Sequence, residues 1–548
     1  MIQSISMKKY LRTPMQTLIL STILLSACGD TPEIKQEPSP TRTPSSYSVG
    51  IPPYIPDSVV DTLGSIQIIE ISDSLDGPNF QIDVSAEDPI IEWVYVLAAP
   101  FSYVDEGVNG ADLQAFWQGN AEMSFPAEVL FVDGSTKAVI EKIWGSAATS
   151  KVKVISSNAL LGRVWESENA FAIIPFEQLE PAWKVLTIDG FSPIHKDFNP
   201  SDYLLNIPFS FLGDQAELER LLSHVMEDEN AGEYPLSNRH SDRLTTVVMT
   251  GVTALVRGTA YVMDSSGNTY PAIDIGDILR DADILHISNE ISFVENCPNP
   301  FSNKANDANL VFCSKPEYIQ LLEAIGTDVV ELSGDHFGDW GPEAMISTLE
   351  MYEERNWQYY GGGRDYTDGI QPAVFNHHGN KIAFFGCNAK PKGYATASDS
   401  SPGAVHCDME LMAEQLKNVI AQGYQPIFTF QHIEYYAYNA SPALQVDFYS
   451  AADAGAVIVS GSQAHQPHAI EFYKSSLLHY GLGNLFFDQY RESFAQRQAF
   501  IDRHVFHDGE HISTELIPII FIDLARPRVM TEEERIFLLN EVFTASGW

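Results

Sequence analysis

The stretch that decides the fold runs from Val459 to Gln489 and reads VSGSQAHQPHAIEFYKSSLLHYGLGNLFFDQ. It starts at the end of a short apolar run and passes through a Gly-Ser turn into a loop that carries two histidines, His465 and His468. A strand that ends in a histidine-bearing loop is a common way to hold metal ligands over the edge of a sheet. For these residues alone, a surface loop with two solvated histidines is the alternative.

Three stretches upstream have the same form, in which an apolar run is followed by Asp, Glu or His. Together with the loop at His465, their polar residues are Glu290, Asp335 with His336, and His432 with Glu434. A single acidic residue after a strand is often only a helix N-cap, but four such strand ends in one α/β region predict a shared site. Ligands bind at the carboxyl edge of such sheets. Mixed imidazole and carboxylate ligands suit Zn, Mn or Fe, so the residues predict a metal-dependent hydrolase.

Strand-like and helical segments alternate along most of the chain, which predicts an α/β fold, with a mainly parallel sheet in the first α/β domain. The chain is long enough for two or three domains. The predicted division is 1–27 for a lipoprotein signal peptide, 28–50 for a Pro/Ser/Thr-rich tether, 51–213 for a smaller α/β domain, 214–243 for a helix and connector, 244–490 for the main α/β domain, and 491–548 for a C-terminal extension that packs on it.

The first residues of the chain predict export. Three basic residues precede the short apolar run Leu18–Leu25, which leads into Leu-Ser-Ala and then Cys28. This is the form of a signal peptide that ends in a lipobox, and its apolar run is shorter than the roughly 20 residues that span a membrane. We therefore expect cleavage before Cys28 and lipid on that residue, with an ordinary signal peptide and a chance cysteine as the alternative.

The composition excludes one class of partner. The chain has 73 Asp and Glu against 32 Lys and Arg, a formal net charge of -41. A surface of this charge repels phosphate backbones, so we expect no nucleic-acid binding. It also disfavours contact with anionic lipid beyond the anchor itself.

The four cysteines after Cys28 predict two disulfides. An exported protein folds in an oxidising compartment, and each of the pairs Cys297–Cys313 and Cys387–Cys407 flanks a polar loop. A zinc site is the alternative, but these cysteines lack the close Cys-x-x-Cys spacing of structural zinc sites. Two loops, each closed by a local disulfide, are the expected arrangement.

The smaller α/β domain contains a pattern that resembles a known kind of binding domain. Patterning around Ala170–Leu179 and Trp183–Pro193 resembles part of a periplasmic solute-binding lobe. This resemblance would imply a binding or docking role, and a purely structural α/β domain is the alternative.

The C-terminal extension is expected to form a final strand and a helix over Thr531–Phe543. Its histidines are expected in a surface loop, with a second metal cluster as the alternative, and they are His504, His507 and His511.

From about Leu244 to Asp488 the chain resembles the bacterial capsule-synthesis CapA family, also called the poly-γ-glutamate biosynthesis family, a branch of the calcineurin-like metallophosphoesterases. The motifs that carry the resemblance are Gly251, Arg257, Ser288-Asn289-Glu290, Gly334-Asp335-His336 with Asp339 and Gly341, Gly361-Gly362-Gly363, His432, His465, and the closing signature Tyr480–Asp488 (YGLGNLFFD). The resemblance implies a metallophosphoesterase-like α/β sandwich, preceded here by the smaller α/β domain.

The resemblance also implies roles for individual residues. Asp335 and His336 would be catalytic, and a divalent ion would be held by Glu290, Asp335, His336, His432 and His465. The substrate would be bound by Arg257, Glu434 and Asn484. Two departures weaken this set, because Val252 stands where the family has Asp and Gln463 stands where it has His. We therefore expect one ion or none, with His468 as a conceivable replacement for the lost histidine.

Two functions follow from these features. The first is a lipid-anchored extracytoplasmic protein of capsule or poly-γ-glutamate-type polymer synthesis that acts as a metal-dependent hydrolase or transferase. The alternative is a metal-depleted lipoprotein that binds polymer or serves as a scaffold without catalysis. In either case the expected partners are a cell-envelope polymer or its synthesis machinery, and the membrane through the lipid anchor.

Overall fold

The computed structural model describes residues 46–120, 124–227, 235–300, 311–393 and 395–548. Ser46 to Trp548 form one compact unit. The predicted signal peptide, Cys28 and most of the predicted tether lie outside the described residues. Tyr47–Gly50, which lies within the predicted tether, forms a strand that pairs in parallel with two neighbouring strands. Among the described residues, no helix has both the length and the apolar character needed to cross a membrane.

The N-terminal part is built on a ten-stranded sheet with a separate two-stranded ribbon. Its strands are β1 (Tyr47–Gly50), β2 (Ile69–Ser72), β3 (Phe80–Val84), β4 (Ile91–Pro100), β5 (Gly107–Val108), β6 (Val129–Val132), β7 (Val152–Val154), β8 (Ala170–Pro175), β9 (Trp183–Val185), β10 (Thr187–Ile188), β11 (Asn206–Gly213) and β12 (Leu236–Ser237). Its helices are α1 (Asp57–Gly64), α2 (Gly110–Trp117), α3 (Gly134–Trp144), α4 (Leu160–Trp165) and α5 (Gln215–Glu227).

This sheet is mixed, because five of its nine strand pairings are parallel and four are antiparallel, so the expectation of a mainly parallel sheet holds only in part. The strand order is β2-β1-β3-β11-β4-β8-β6-β7, with β9 and β12 also paired to β4. The central strand β4 runs antiparallel to β8, β9 and β11. Nearly all of β4 is buried, and an apolar run of this kind shows that a strand is central without showing the direction of its partners.

The rest of the chain supplies the larger set of elements. Its strands are β13 (Leu244–Thr250), β14 (Val252–Thr253), β15 (Ile284–Asn289), β16 (Val329–Glu331), β17 (Gln358–Tyr360), β18 (Gly362–Gly363), β19 (Ala373–His377), β20 (Asn380–Asn388), β21 (Gly403–Ala404), β22 (Gln425–Gln431), β23 (Ile458–Ser460), β24 (Ile470–Tyr473), β25 (Ser476–His479), β26 (Asn484–Phe486), β27 (Gln498–His507), β28 (Glu510–Phe521) and β29 (Pro527–Val529). Its helices are α6 (Arg257–Ser266), α7 (Gly276–Arg280), α8 (Ile319–Ile325), α9 (Gly341–Glu353), α10 (Tyr366–Gly369), α11 (Met409–Ile420), α12 (Pro442–Asp453) and α13 (Glu532–Ser546).

Two sheets of this part pack face to face. One has nine strands, in the order β17-β16-β15-β13-β27-β28-β29 with β14 and β26 attached, and the other has six, in the order β19-β20-β22-β23-β25-β24. Val247 and Ile284 of the first sheet share one core with Phe384 and Ile427 of the second. Helices α6 to α9 cover the outer face of the first sheet, and α11 and α12 cover that of the second. The predicted α/β sandwich is confirmed.

Parallel pairing brings the carboxyl ends of several strands to one edge of the sandwich. In the nine-stranded sheet β13, β15, β16 and β17 are parallel, and in the six-stranded sheet β20, β22, β23 and β25 are parallel. The loops that follow the carboxyl ends of parallel strands lie together. This topology places the acidic and imidazole residues of the predicted site at one edge of the sandwich.

The C-terminal extension differs from its prediction. A long hairpin of β27 and β28 adds to the nine-stranded sheet through antiparallel pairing of β27 with β13. His504, His507 and His511 lie in this hairpin and are buried, so the expected surface loop is wrong. The predicted terminal helix is present as α13, and Thr531 caps it in a capping box with Glu534.

Both disulfides occur in the predicted pairing. Cys297 is bonded to Cys313, and Cys387 is bonded to Cys407. The second disulfide joins the end of β20 to the segment just before α11 and therefore closes the loop that leaves the sheet after Asn388. That loop belongs to the candidate site.

Candidate functional site at the strand ends

The loops after β15 and β16 touch directly at the edge of the sandwich. Glu290 follows β15, and Gly334 and Asp335 follow β16. A Cβ on Gly334 would lie 2.8 Å from Cα of Glu290 and closer still to its Cβ. Only a residue without a side chain fits this approach, which explains why the Asp-His pair is preceded by glycine.

The centre of the site is a lysine that the sequence interpretation missed. The ammonium of Lys390 donates to Oδ2 of Asp335 over 2.8 Å and to Oε1 of Glu434 over 2.5 Å. The other oxygen of Asp335 accepts from the side-chain amide of Gln431 over 3.1 Å. Both oxygens of the predicted catalytic carboxylate are therefore hydrogen-bonded within the protein.

The loop after β20 fixes the position of Lys390. Oδ1 of Asn388 accepts the backbone N–H of Lys390 over 2.9 Å. The amide nitrogen of the same Asn388 donates to the carbonyl of Ser333 over 2.8 Å. Asn388 thus ties the lysine loop to the loop that carries Asp335, beside the Cys387–Cys407 disulfide.

Burial and charge set the protonation of the carboxylates and the lysine. Burial raises the pKa of the Glu290 carboxyl to about 7. Burial alone would also raise the pKa of Asp335, but the Lys390 ammonium holds that pKa below its usual range. Burial alone would lower the pKa of Lys390, and Asp335 and Glu434 raise it instead. Lys390 is a fixed positive charge among acidic groups.

His336 lies beside the same cluster and points one ring nitrogen away from it. Its Nδ1 lies 2.9 Å from Oδ2 of Asp339, which also accepts the backbone N–H of Phe312 over 2.7 Å. Burial alone would lower the pKa of His336, but the carboxylates of Asp339, Glu290 and Asp335 raise it to about 9. The imidazole therefore carries a positive charge at neutral pH.

The other two predicted imidazole ligands are each bonded to a protein group. Nε2 of His432 lies 3.1 Å from Oδ2 of Asp447 on α12, and its Nδ1 is buried without a hydrogen-bond partner. Nδ1 of His465 lies 3.0 Å from Oδ1 of Asn484. The amide nitrogen of Asn484 donates to the carbonyls of His465 and Gln496. Asn484 is buried, so its contact with a substrate stays a prediction.

The positions of the two replaced ligands are occupied by groups with other partners. Val252 is fully buried, and the side-chain amide of Gln463 donates to the hydroxyl of Ser288. His468 hydrogen-bonds through Nε2 to the carbonyl of Tyr435 over 2.8 Å, and burial lowers the pKa of His468 to about 4. This bond directs His468 to the backbone after β22 and not to the cluster around Lys390.

These observations decide whether the residues present fit a divalent ion. Each oxygen of Asp335 already accepts a hydrogen bond, and a lysine ammonium, which would repel a metal ion, lies between Asp335 and Glu434. An apolar side chain, Val252, stands at the position of one lost ligand. Within the described ranges, no group of three or more His, Cys, Asp or Glu side chains is arranged to hold a metal ion. The residues do not fit the ion that the resemblance implies.

Arg257 lies at the same edge and faces the closing signature. It has a φ of 51°, in the left-handed region that side chains rarely adopt,. Its guanidinium is 5.6 Å from the centroid of the Phe487 ring and 3.8 Å from the carboxylate of Glu492. Phe487 in turn packs against the His465 ring, with 5.1 Å between centroids. Backbone strain of this kind concentrates at functional sites.

The sequence patterns predicted that the site lies at the carboxyl edge of the sheet, and they predicted some of its charged residues. They singled out Glu290, Asp335, His336 and Glu434, which interact through their charges. They missed Lys390, Gln431 and Asp447, because a pattern of Asp, Glu or His after an apolar run does not include them. The signal for the lysine was the polar turn Asn388-Ala389-Lys390 directly after a strand.

Comparisons with known proteins agree with the segment order. Residues 246–489 match the family model of the bacterial capsule synthesis protein PGA_cap. The capsule biosynthesis protein CapA of Bacillus anthracis is 23% identical over 289 residues, which cover 52% of this chain and 69% of that protein. The PGA biosynthesis protein CapA of Bacillus subtilis (strain 168) is 24% identical over 263 residues, which cover 47% and 67%.

Solved structures show only distant likeness. The 5'-nucleotidase precursor from Thermus thermophilus aligns at 12% identity and a TM-score of 0.32, over 56% of this chain and 58% of its own. An ABC-type phosphate transport receptor from Vibrio cholerae aligns at 11% identity and a TM-score of 0.26, over 34% and 95%. Scores of this size establish no common fold, so the resemblance of the N-terminal part to solute-binding lobes stays a prediction. The resemblance to the capsule-synthesis family is confirmed over residues 246–489.

Proposed function

We propose that this protein, which carries a capsule-synthesis family domain at residues 246–489, serves the production or attachment of a cell-envelope polymer by binding it without a resident divalent metal. The known relatives are named for capsule and PGA biosynthesis. Their names support the polymer as the partner, and the strand-end site supports binding as the role. This is the second of the two functions that the sequence predicts.

One observation carries the proposal. Asp335, the carboxylate on which metal binding would depend, has one oxygen bonded to Lys390 and the other to Gln431. A metal-bound carboxylate needs a lone pair directed at the ion. An ion pair that fills this position makes the edge a charged binding surface, and the catalytic roles expected for Asp335 and His336 find no support in its bonding.

The rim of the site offers groups that suit a long, flexible partner. Tyr436, in the loop after β22, is 58% exposed. Partial burial and the nearby Glu434 carboxylate raise the pKa of its hydroxyl. Arg257, which lies over the Phe487 ring, adds a cation to this exposed aromatic ring, and both kinds of group contact polymers well. Arg257, Glu434 and Asn484 remain the proposed substrate-binding residues.

We place the protein outside the cytoplasm, held to the membrane by lipid on Cys28. Two disulfides support an oxidising compartment,, and the lipobox form of the segment before Cys28 supports the anchor. A polymer-binding body on a surface tether would act at the membrane, where its partner is made or attached.

Two measurements on the full-length chain in detergent test the proposal. Elemental analysis should find no stoichiometric Zn, Mn or Fe in the wild type, and a His432→Ala/His465→Ala double variant should not differ. Equilibrium binding of polymer isolated from the envelope of the producing organism should be saturable. Tyr436→Ala and Arg257→Ala should each weaken it by roughly fivefold or more. Phe191→Ala, which removes an exposed aromatic side chain of the N-terminal part, is the matched control.

Either measurement can overturn the proposal. One equivalent of metal in the wild type that is lost in the double variant would restore the metal-dependent hydrolase or transferase. Absence of saturable polymer binding by a folded, metal-free protein would leave no support for a binding role.

A further inference from the structure

We infer that Lys390 is the resident cation of the strand-end site, and that replacing it with a neutral side chain turns the same residues into a site for a divalent cation. The inference rests on the proposed metal-free function and explains it. It assigns a role to a residue for which the capsule-synthesis motifs in this sequence provide none.

The ammonium of Lys390 lies where a cation is needed. Lys390 Nζ bonds to one oxygen each of Asp335 and Glu434, and it also acts on the charge of Glu290. Two half-buried carboxylates thus share one ammonium, and the buried Glu290 lies near them. Acidic groups this close repel one another when no cation is present, so a positive charge stabilises this point whether or not a metal is present.

The fold also holds the lysine in place. Asn388 bonds both to the backbone of Lys390 and to the carbonyl of Ser333, and the Cys387–Cys407 disulfide closes the loop from which the lysine projects. A tethered cation of this kind competes at high effective concentration with any ion from solution. A divalent ion would have to displace the ammonium from two bonds and then share the site with it.

Several donor groups remain when the lysine is removed. Asp335 would regain one free oxygen, and Glu434 would lose the hydrogen bond to its Oε1. His432 already has a buried ring nitrogen without a hydrogen-bond partner. Carboxylate oxygen and imidazole nitrogen together suit Mn²⁺ and Zn²⁺. The cost of the unpaired carboxylates is the force that would recruit the ion.

The test is Mn²⁺ binding by the full-length chain in detergent. Binding is measured by electron paramagnetic resonance of the free Mn²⁺ and by equilibrium dialysis. The variants are Lys390→Met, which removes the charge at similar volume, and Lys390→Arg, which keeps it. The matched control is Lys392→Met, because Lys392 lies two residues further along the same loop and is exposed. Lys390→Gln is the second neutral variant and keeps a hydrogen-bond donor in case Lys390→Met does not fold.

We expect Lys390→Met or Lys390→Gln to bind about one equivalent of Mn²⁺ roughly tenfold or more tighter than the wild type, Lys390→Arg and Lys392→Met. Adding Asp335→Asn to the neutral variant should abolish this gain. If the folded neutral variants bind no more Mn²⁺ than the wild type, the inference is wrong while the metal-free function stands. If the wild type already binds one equivalent as tightly as the neutral variants, the inference and the proposed function both fall.

Discussion

Nδ1 of His479 lies 2.6 Å from Oδ2 of Asp502, and each side chain is 1% exposed. His479 ends β25 in the six-stranded sheet, and Asp502 lies in β27 of the nine-stranded sheet. The pair therefore joins the two sheets across their shared core. It makes the C-terminal hairpin a structural part of the sandwich.

Asp502→Ala should lower the free energy of unfolding by about 3–5 kcal/mol, since it leaves the buried His479 without its partner. Denaturant unfolding, monitored by tryptophan fluorescence, measures this change in free energy. Glu323→Ala is the control, because it removes a partner of Arg355 from a largely exposed pair and should cost no more than about 1 kcal/mol. Equal losses for the two variants would show that the pair does not join the sheets energetically.

The same hairpin shows where sequence patterns fail. Burial along β27 extends over both faces of the strand, so its apolar residues do not alternate with exposed ones. Its polar members, Asp502 and His504, are instead bonded to His479 and to Thr514. Buried polar residues within a strand make its sequence resemble that of a loop, and their partners on the neighbouring strand and on the other sheet are known only from the tertiary fold.

Acid should destabilise the protein in a defined range. Burial lowers the pKa of His511 to about 3 and that of His507 to about 4, below the ordinary value of about 6.5. Both are neutral in the folded state and take up protons on unfolding, so their contribution is complete above about pH 6.5 and is lost as the pH falls. Each should reduce the free energy of unfolding by about 1.4 kcal/mol per pH unit between about pH 6 and 4.

Denaturant unfolding at several pH values checks this slope. His511→Gln removes one titrating group and should flatten the dependence by about 1.4 kcal/mol per pH unit. Ser223→Ala, which changes an exposed residue of α5 that does not titrate, should leave the slope unchanged. An identical slope for the wild type and His511→Gln would mean that His511 is protonated in the folded state.

Cys28→Ala should release the protein from the membrane fraction and abolish the incorporation of labelled palmitate, because the lipid would be attached to that residue. Ser21→Ala, a change inside the apolar run, should keep both properties. Palmitate label on Cys28→Ala would contradict the predicted anchor. Cys28 lies outside the described residues, so this prediction depends on the sequence alone.

At the strand-end site, the sequence predicts which residues lie together but not how they are bonded. The acidic and imidazole residues were predictable because the parallel strands place their following loops at one edge. The ion pair of Asp335 was not predictable, because its partner Lys390 lies 55 residues away in the sequence and is brought close only by the folding of the sandwich. Val252 and Gln463 signalled a weakened metal site, but only the fold shows that Lys390 bonds to both Asp335 and Glu434.

Loss of the Cys387–Cys407 disulfide should affect both stability and the site. The bond closes a loop with a sequence separation of 20, for which the loss is about 3 kcal/mol. A Cys387→Ala/Cys407→Ala variant should unfold at lower denaturant, and Lys390 should react faster with an amine-directed reagent, as mass spectrometry would show. The Cys297→Ala/Cys313→Ala variant should lose stability without this change at Lys390. Unchanged reactivity would contradict the role of the disulfide in holding the lysine loop.

Gly334→Ala tests the close approach on which the site is built. The added Cβ would lie 2.8 Å from Cα of Glu290, and two backbone segments of adjacent parallel strands cannot separate without disturbing their pairing. We expect a loss of about 1–3 kcal/mol together with faster modification of Lys390, because Asp335 moves with the loop. Gly134→Ala, at the start of α3 with no atom in the way, should be neutral or slightly stabilising. If Gly334→Ala keeps full stability and an unreactive Lys390, the loop after β16 can shift freely, and the ion pair does not require the glycine.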